Sequence, residues 1–185
     1  MIRVNKLDFK EALDFVKCAV SKDKYRPFLT GIHLQVKGSR LIVEAVDGYR
    51  VMQASVEILE SDTENFDCIF NYNMSIKATK KDFDNNMDIE ITNDKTVIFE
   101  DISAHQSISY CLIKGEYFNT DNIWPECEPE YQVRLNPKFL AELAKAYKDK
   151  GSVLLSFYGE LKPVIASIDN KPTDNGRGML LPLRK

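Results

Sequence analysis

A short strand, a helix and then three strands: this pattern recurs three times along the 185 residues. In the first copy, residues 5–26 form a helix-like segment in which Asp8 is the predicted N-cap, because Glu11 follows it at capping-box spacing. Its apolar residues recur at helical spacing, which predicts one buried face: Phe9, Leu13, Val16 and Val20. After Pro27 the apolar period becomes two, which indicates strands in which Ile32, Leu34 and Val36 face opposite to His33.

The second and third copies follow the same order. Strand patterns at 66–71, 89–92, 96–100 and 107–113 flank a predicted helix at 74–83. The third copy has strand patterns at 131–135, 153–158, 163–168 and 179–183 and a helix that starts at Pro137 and stops at Gly151. That helix is predicted to bury Phe139, Leu140, Leu143 and Tyr147. Residues 125–129 are rich in proline and acid, and they mark the predicted boundary.

The predicted fold class is therefore α+β, with three β-α-β-β-β units. Two units make a complete domain over residues 1–126. The third unit makes a half domain over residues 127–185.

Hydropathy and cysteine spacing exclude some classes of protein. The mean hydropathy is -0.31, no apolar run approaches the roughly 20 residues that span a bilayer, and the N-terminus lacks a signal-peptide pattern. We therefore expect a cytoplasmic protein without a membrane partner. The four cysteines have no metal or redox spacing, and Cys68 and Cys111 are predicted to be buried reduced thiols.

Enzymatic motifs are also missing from the sequence. His33 and His105 have no serine or cysteine at a catalytic spacing, so both are interpreted as surface residues of strands. No glycine-rich phosphate loop is present. We expect a non-enzyme without a metal or cofactor.

The charge is divided unevenly although the net formal charge is only -3. The helix-like segments 5–26, 74–84 and 136–150 hold 13 Lys and Arg against 8 Asp and Glu, while the remainder holds 12 against 20. Solvated helix faces explain this as readily as a polyanionic partner does.

Three sets of motifs resemble the bacterial replicative sliding clamp, the beta subunit of DNA polymerase III. Residues 26–31 read RPFLTG and lead through two strands to VDGYRV at 46–51. Residues 112–117 read LIKGEY and continue to IWP at 123–125, and the chain ends on MLLPLR at 179–184. These motifs occur in the family's order, but the chain has about half the family's usual length. It resembles a middle domain followed by the second half of a last domain.

The resemblance implies a DNA clamp fold and an apolar groove that accepts short peptides from polymerases and repair proteins. Val46, Tyr49 and the tail leucines depart from the family's threonine, histidine and methionines, which should change the peptide that fits. Plain β-core packing is the alternative explanation of the same residues. The implied groove residues are Leu29, Val46, Gly48, Tyr49, Arg50, Val51, Pro125, Met179, Leu181, Pro182, Leu183 and Arg184.

The resemblance also implies duplex DNA as a partner, held without sequence specificity by mobile lysines that face the phosphates. The implied function is a DNA polymerase processivity factor; a clamp-derived adaptor or decoy that binds peptides without encircling DNA is the alternative, and a purely structural domain is a third. DNA polymerase, other replication proteins and a clamp loader are the candidate partners. If the family's ring has twelve units, three per chain imply a homo-tetramer. The implied DNA-facing residues are Lys10, Lys17, Lys77, Lys80, Lys81, Lys138, Lys145 and Lys148.

Overall fold

The computed structural model describes residues 1–63, 65–71, 86–92, 95–168 and 177–183. The predicted helix at 74–83, with Lys77, Lys80 and Lys81, lies outside these ranges, as does Arg184. The chain divides into two units, unit 1 (Met1–Ile123) and unit 2 (Trp124–Lys185).

Unit 1 contains two copies of the repeated pattern. The first copy consists of β1 (Ile2–Asn5), α1 (Lys6–Val16), β2 (Gly31–Lys37), β3 (Arg40–Val46) and β4 (Val51–Ser61). The described strands of the second copy are β5 (Asp67–Asn71), β6 (Asn86–Thr92), β7 (Thr96–Asp101) and β8 (Gln106–Cys111). Short 3-10 turns lie at Lys17–Ala19, Pro27–Thr30 and Asp121–Ile123.

These eight strands form one antiparallel sheet in the order β5-β2-β3-β4-β1-β6-β7-β8. The two ends of the sheet approach each other after β8, where the Ile113 amide donates to the Ile69 carbonyl at 2.8 Å and Phe70 pairs with Leu112. The sheet is therefore nearly closed, which leaves few unpaired backbone groups at its edges.

The core of unit 1 lies between α1 and this sheet. Phe9 stacks on Phe99 with ring centroids 5.7 Å apart, and Phe70 meets Phe99 at 5.2 Å. Phe9, Leu13 and Val16 are buried as the helical spacing predicts. The alternating Ile32 and Leu34 of β2 are also fully buried, so the period-two pattern identifies the inner face of the strand.

The start of α1 differs from the prediction. Asn5, not Asp8, is the N-cap: its side chain accepts hydrogen bonds from the amides of Leu7 and Asp8 at 2.9 and 3.2 Å. The observed cap therefore lies three residues before the predicted one. It ends at Val16, well before residue 26, because the chain turns back there and the Ser21 amide donates to the Leu29 carbonyl at 2.9 Å.

One burial prediction in unit 1 is wrong. Cys68 is buried as predicted but Cys111 is exposed, because it ends β8 on the outward face of the sheet. The burial of Lys6, the first residue of α1, was not predicted; its ammonium donates to Asp101 Oδ2 at 2.9 Å. That ion pair counters the cost of burying the lysine charge.

Unit 2 contains one copy of the pattern: α2 (Pro137–Ala146), a 3-10 turn at Lys148–Lys150, β9 (Leu154–Ser156), β10 (Val164–Ser167) and β11 (Arg177–Leu180). The three strands form an antiparallel sheet in the order β11-β10-β9. The helix packs closely on β11, since a Cβ added to Gly178 would lie 2.4 Å from Leu143. Tyr147 donates its hydroxyl hydrogen to the Ala166 carbonyl at 3.0 Å.

Two further predictions fail in unit 2. Residues 131–135 are not a strand of any described sheet. Phe139 and Leu140 of α2 are 54% and 38% exposed, and no residue of this helix is buried. Leu143 and Tyr147 are half-buried. A single copy offers one sheet face to its helix, so the rest of the apolar surface stays open.

Candidate functional site

The turn between β3 and β4 is held by Asp47. Its Oδ1 accepts from the amides of Tyr49 and Arg50 at 3.0 and 3.1 Å, and its Oδ2 accepts from Arg50 Nε at 2.9 Å. Hydrogen bonding by the Tyr49 amide, followed by the interactions with Arg50, lowers the pKa of Asp47. Gly48 has φ +91°, a conformation that L side chains rarely adopt. The sequence Asp-Gly thus produces a rigid, exposed turn.

The predicted groove residues of unit 1 differ in exposure. Leu29 and Val46 are buried at 3% and 6% and belong to the core, while Val51 is half-buried. Tyr49 is 97% exposed, and the Arg50 guanidinium is already paired with Asp47. Leu29 and Val46 can therefore form the floor of a site, and Tyr49 can contact a ligand directly.

The remaining groove residues belong to unit 2. Met179 and Leu181 are 59% and 69% exposed, Leu183 is exposed, and Pro182 is half-buried. The Leu183 amide donates to the Arg134 carbonyl at 2.7 Å, so the tail is held against the segment before α2. Pro125 is exposed. Met179, Leu181 and Leu183 therefore expose apolar surface that a ligand could contact. The predicted groove residues thus come from both units.

The described candidate DNA-facing lysines fall into two groups. In unit 1, Lys10 of α1 and Lys17 of the 3-10 turn that follows both pair with Asp14, at 2.7 and 2.6 Å, and hydrogen bonds from these lysines lower the pKa of Asp14. In unit 2, Lys138, Lys145 and Lys148 are exposed, and Lys148 lies 4.0 Å from Asp149. The excess of positive charge over residues 5–26 is therefore smaller than the lysine count of that segment indicates.

Sequence reasoning missed a buried polar cluster around His33. The prediction of a surface histidine is wrong, because His33 is only 4% exposed. Its Nδ1 lies 2.8 Å from Glu44 Oε1 and its Nε2 lies 2.9 Å from Asp67 Oδ1. Glu44 also accepts from Thr120 at 2.7 Å and from Gln53 at 3.0 Å.

A loop covers this cluster and explains the error. Tyr117 stacks on His33 with ring centroids 4.3 Å apart, and Lys37 pairs with Asp121 at the end of the same loop. Residues 115–121 therefore bury the outer face of β2, which the period-two pattern assigns to solvent. The LIKGEY motif at 112–117 was the available signal, since it marks this loop, but the pattern does not reveal what the loop covers.

Burial alone lowers the pKa of His33, but hydrogen bonds to Glu44 and Asp67 outweigh it and raise the pKa above its ordinary value of 6.5. Burial alone raises the pKa of Glu44, but the hydrogen bonds to His33, Thr120 and Gln53 lower it below 4.5. The charged forms are therefore favoured on both sides of this pair. Burial raises the pKa of Cys68 to about 12, so its thiol is unreactive at neutral pH.

His105, the other histidine, lies in the turn between β7 and β8 with φ +50° and is exposed. It is a surface residue as predicted, but of a turn and not of a strand. Among the described residues, no three His, Cys, Asp or Glu side chains are grouped as in a metal site. No helix in the described ranges is long and apolar enough to cross a bilayer.

Solved structures that are similar to this chain in fold include DNA polymerase sliding clamps. The DNA polymerase III beta chain of Streptococcus pneumoniae aligns with all of this chain and 49% of its own, with a TM-score of 0.74 and 20% identity. The beta subunit of Streptococcus pyogenes aligns with all of this chain and 50% of its own, with a TM-score of 0.75 and 19% identity. The chain therefore has the DNA clamp fold, as predicted.

The sequence comparisons agree with the fold. The family model described as "DNA polymerase III beta subunit, central domain" matches residues 3–119. The beta sliding clamp of Staphylococcus aureus is 29% identical over 118 residues, which are 64% of this chain and 30% of that protein. The chain belongs to the DNA polymerase III beta subunit family, and it matches less than a third of the length of this relative.

Proposed function

We propose that this protein is a sliding-clamp-like DNA polymerase processivity factor that docks short peptides of replication proteins and associates with duplex DNA without sequence specificity. Family membership over residues 3–119 is the observation that carries the proposal. In this role the protein binds and tethers, and it catalyses no reaction.

The peptide site is proposed to combine the Asp47–Arg50 turn, its floor of Leu29 and Val46, and the tail. The exposed leucine and methionine side chains of the tail suit leucine or phenylalanine anchors of a peptide. Tyr49 adds an aromatic surface with a polar end, a residue type that is enriched where binding energy concentrates. Arg50 would bond a peptide carbonyl or glutamine, and it would have to exchange part of its pairing with Asp47.

A peptide titration tests this site. A labelled peptide with a glutamine, a leucine and a phenylalanine anchor is expected to bind the full chain with roughly micromolar affinity, near -8 kcal/mol. Leu181→Asp is expected to weaken binding at least about tenfold, or about 1.4 kcal/mol, because it places a charge against an apolar anchor. The measurement is fluorescence anisotropy against protein concentration.

Leu161→Asp is the matched control. Leu161 is 77% exposed in the same unit, but it lies in the turn between β9 and β10, outside the proposed site. Its substitution should leave the affinity unchanged. Equal binding by wild type and Leu181→Asp would overturn the proposed site, and equal loss in both variants would show that the peptide contacts apolar surface non-specifically.

The ion pairs of Lys10 and Lys17 with Asp14 favour a second candidate, the clamp-derived adaptor. Such pairs reduce the positive charge that α1 can offer to phosphates. An adaptor binds the same peptides but does not encircle DNA. It predicts peptide affinity together with an absence of salt-sensitive association with duplex DNA.

A further inference from the structure

The two copies in unit 1 close their sheet by exchanging first strands. β1 lies between β4 of its own copy and β6 of the other copy. β5 pairs with β2 of the other copy, and its other side meets the chain after β8 of its own copy through Ile113 and Ile69. Each first strand therefore has one partner from each copy. A single copy cannot complete this arrangement.

Unit 2 carries the equivalent of a first strand. Val133-Arg134-Leu135-Asn136 matches Ile2-Arg3-Val4-Asn5 in residue type, and both asparagines cap the helix that follows: Asn5 accepts from the Leu7 amide and Asn136 from the Lys138 amide, each at 2.9 Å. The Leu183 amide bonds to the Arg134 carbonyl, just as Arg3 pairs with Glu60 of β4. The partner from its own copy is present, and no described strand pairs with the other side.

The strand of unit 2 that would pair with a first strand from another copy is an edge strand of its described sheet. In unit 1 the second strand of each copy, β2 or β6, pairs with the first strand of the other copy. The corresponding strand of unit 2 is β9, which is an edge of its sheet and pairs with β10. An edge strand with exposed apolar side chains, such as Leu154 at 39%, is a template for pairing with another chain.

The exposed side chains correspond to core residues of unit 1. Phe9 follows Asn5 by four residues and is fully buried, whereas Leu140 follows Asn136 by four residues and is 38% exposed. Aromatic side chains bury about 150–250 Å² each, so four of the half-exposed rings of unit 2 in two copies offer on the order of 800 Å². The aliphatic side chains raise this into the range of about 1,200–2,000 Å² that a stable interface buries. The four rings are Tyr131, Phe139, Phe157 and Tyr158.

We propose that two copies of this chain join through unit 2 across a two-fold axis. Residues 133–135 of each copy add to β9 of the other and complete a closed sheet like that of unit 1. Unit 1 offers no free first strand, because β1 and β5 each have both of their partners within that unit. A two-fold interface satisfies both open edges at once, since each copy gives one strand and receives one. The dimer then holds six copies of the pattern in three complete domains.

Sedimentation equilibrium of the full chain tests the association. We expect a dimer, or an even multiple of it, at micromolar concentration. Leu154→Asp should raise the dissociation constant at least tenfold, because it places a charge at the paired strand. Leu59→Asp is the control: Leu59 is 49% exposed on β4 of unit 1, and its change should have no effect. A monomer at high concentration, or an odd-numbered assembly, overturns the proposal.

Disulfide trapping tests the strand pairing without depending on how well Leu154→Asp folds. In unit 1, Arg3 lies opposite Asp88 of β6. Leu154–Leu155 lie as far from the middle of the β9–β10 hairpin as Asp88 lies from the middle of the β6–β7 hairpin. Arg134, the equivalent of Arg3, should therefore lie opposite Leu154–Leu155. Cys18, Cys111 and Cys127, the exposed cysteines, are replaced by serine. Arg134→Cys and Leu155→Cys are then made separately in this background and mixed under mild oxidation.

A covalent dimer should form in the mixture and in neither variant alone. Absence of the cross-link in the mixture, or its formation by a single variant, contradicts the exchange of strands. This result is independent of the peptide titration with Leu181→Asp, so failure of the interface and failure of the proposed function are distinguishable.

Discussion

At the scale of single residues, contacts between residues far apart in the sequence decide which polar side chains are buried, and the local pattern does not predict this burial. Alternation along β2 correctly predicts that Ile32 and Leu34 are buried, but it assigns His33 to solvent. His33 is buried because Tyr117, 84 positions later in the chain, stacks on it. Lys6 is likewise buried by pairing with Asp101, near the end of β7. Neither contact can be predicted from the periodic pattern of a single helix or strand.

The His33 cluster predicts a pH-dependent stability. The pKa of His33 is raised above 6.5 in the folded protein, so its contribution is fully present below that pH and is lost as the pH rises through the folded pKa. The lowered pKa of Glu44 acts at the other end: its contribution is present above 4.5 and is lost as the pH falls through the folded pKa. We expect the melting temperature to fall as the pH rises above about 6.5.

His33→Gln should flatten this alkaline slope, because the neutral amide does not titrate. Thermal unfolding followed by circular dichroism at several pH values measures it. His105→Gln is the control, since His105 is exposed in a turn, and it should keep the wild-type slope. Parallel profiles for wild type and His33→Gln would show that the buried histidine does not control the pH dependence.

At the scale of elements, the repeated pattern correctly predicts the strand-helix-strand order of the first copy, in which each strand has a partner. The predicted strand at 131–135 has the period-two pattern of Tyr131, Val133 and Leu135. A strand is defined by its ladder of hydrogen bonds, and the described part of unit 2 supplies one such bond, from Leu183 to Arg134. The pattern therefore identifies a segment that is able to pair, and pairing depends on a second strand.

The helix caps give a second prediction at this scale. Asn5 caps α1 through two hydrogen bonds, whereas Asp8 lies in the first turn, where its charge adds a smaller favourable interaction with the helix dipole. Asn5→Ala should lower the free energy of unfolding by about 1 kcal/mol. Asp8→Ala should lower it by less, about 0.5 kcal/mol.

Urea unfolding of both variants measures these values at constant m. The ranking is the informative quantity, because both substitutions remove one polar side chain from the same helix terminus. A larger loss of unfolding free energy for Asp8→Ala than for Asn5→Ala would indicate that Asp8 is the N-cap, as the sequence pattern predicts.

At the scale of the whole molecule, the sequence predicts the family and the clamp fold correctly because its motifs lie at turns and loops that the fold requires. The Asp-Gly turn at 47–48 and the loop at 115–121 are such places. Burial in unit 2 was not predictable, because Phe139 and Leu140 lie on the face of one copy without its complement. Helical spacing predicts an apolar face, but not the surface that covers it.

The charge pattern belongs to the same scale. The exposed Lys138, Lys145 and Lys148 of unit 2 are available to phosphates, while Asp14 offsets part of the charge on α1. Association that depends on a few mobile lysines is weak at any one contact and sensitive to salt. Retention on DNA would therefore require encirclement and not tight contact.

Co-sedimentation with circular and linear duplex DNA tests the proposed processivity function most directly. The full chain is mixed with a nicked circular plasmid in low salt, brought to about 0.15 M salt, where the Debye length is about 8 Å, and then divided, with one half linearised. We expect the protein to remain with the circle and to be lost from the linear form. Equal retention on both forms, or no retention on the circle, would contradict a clamp that encircles DNA.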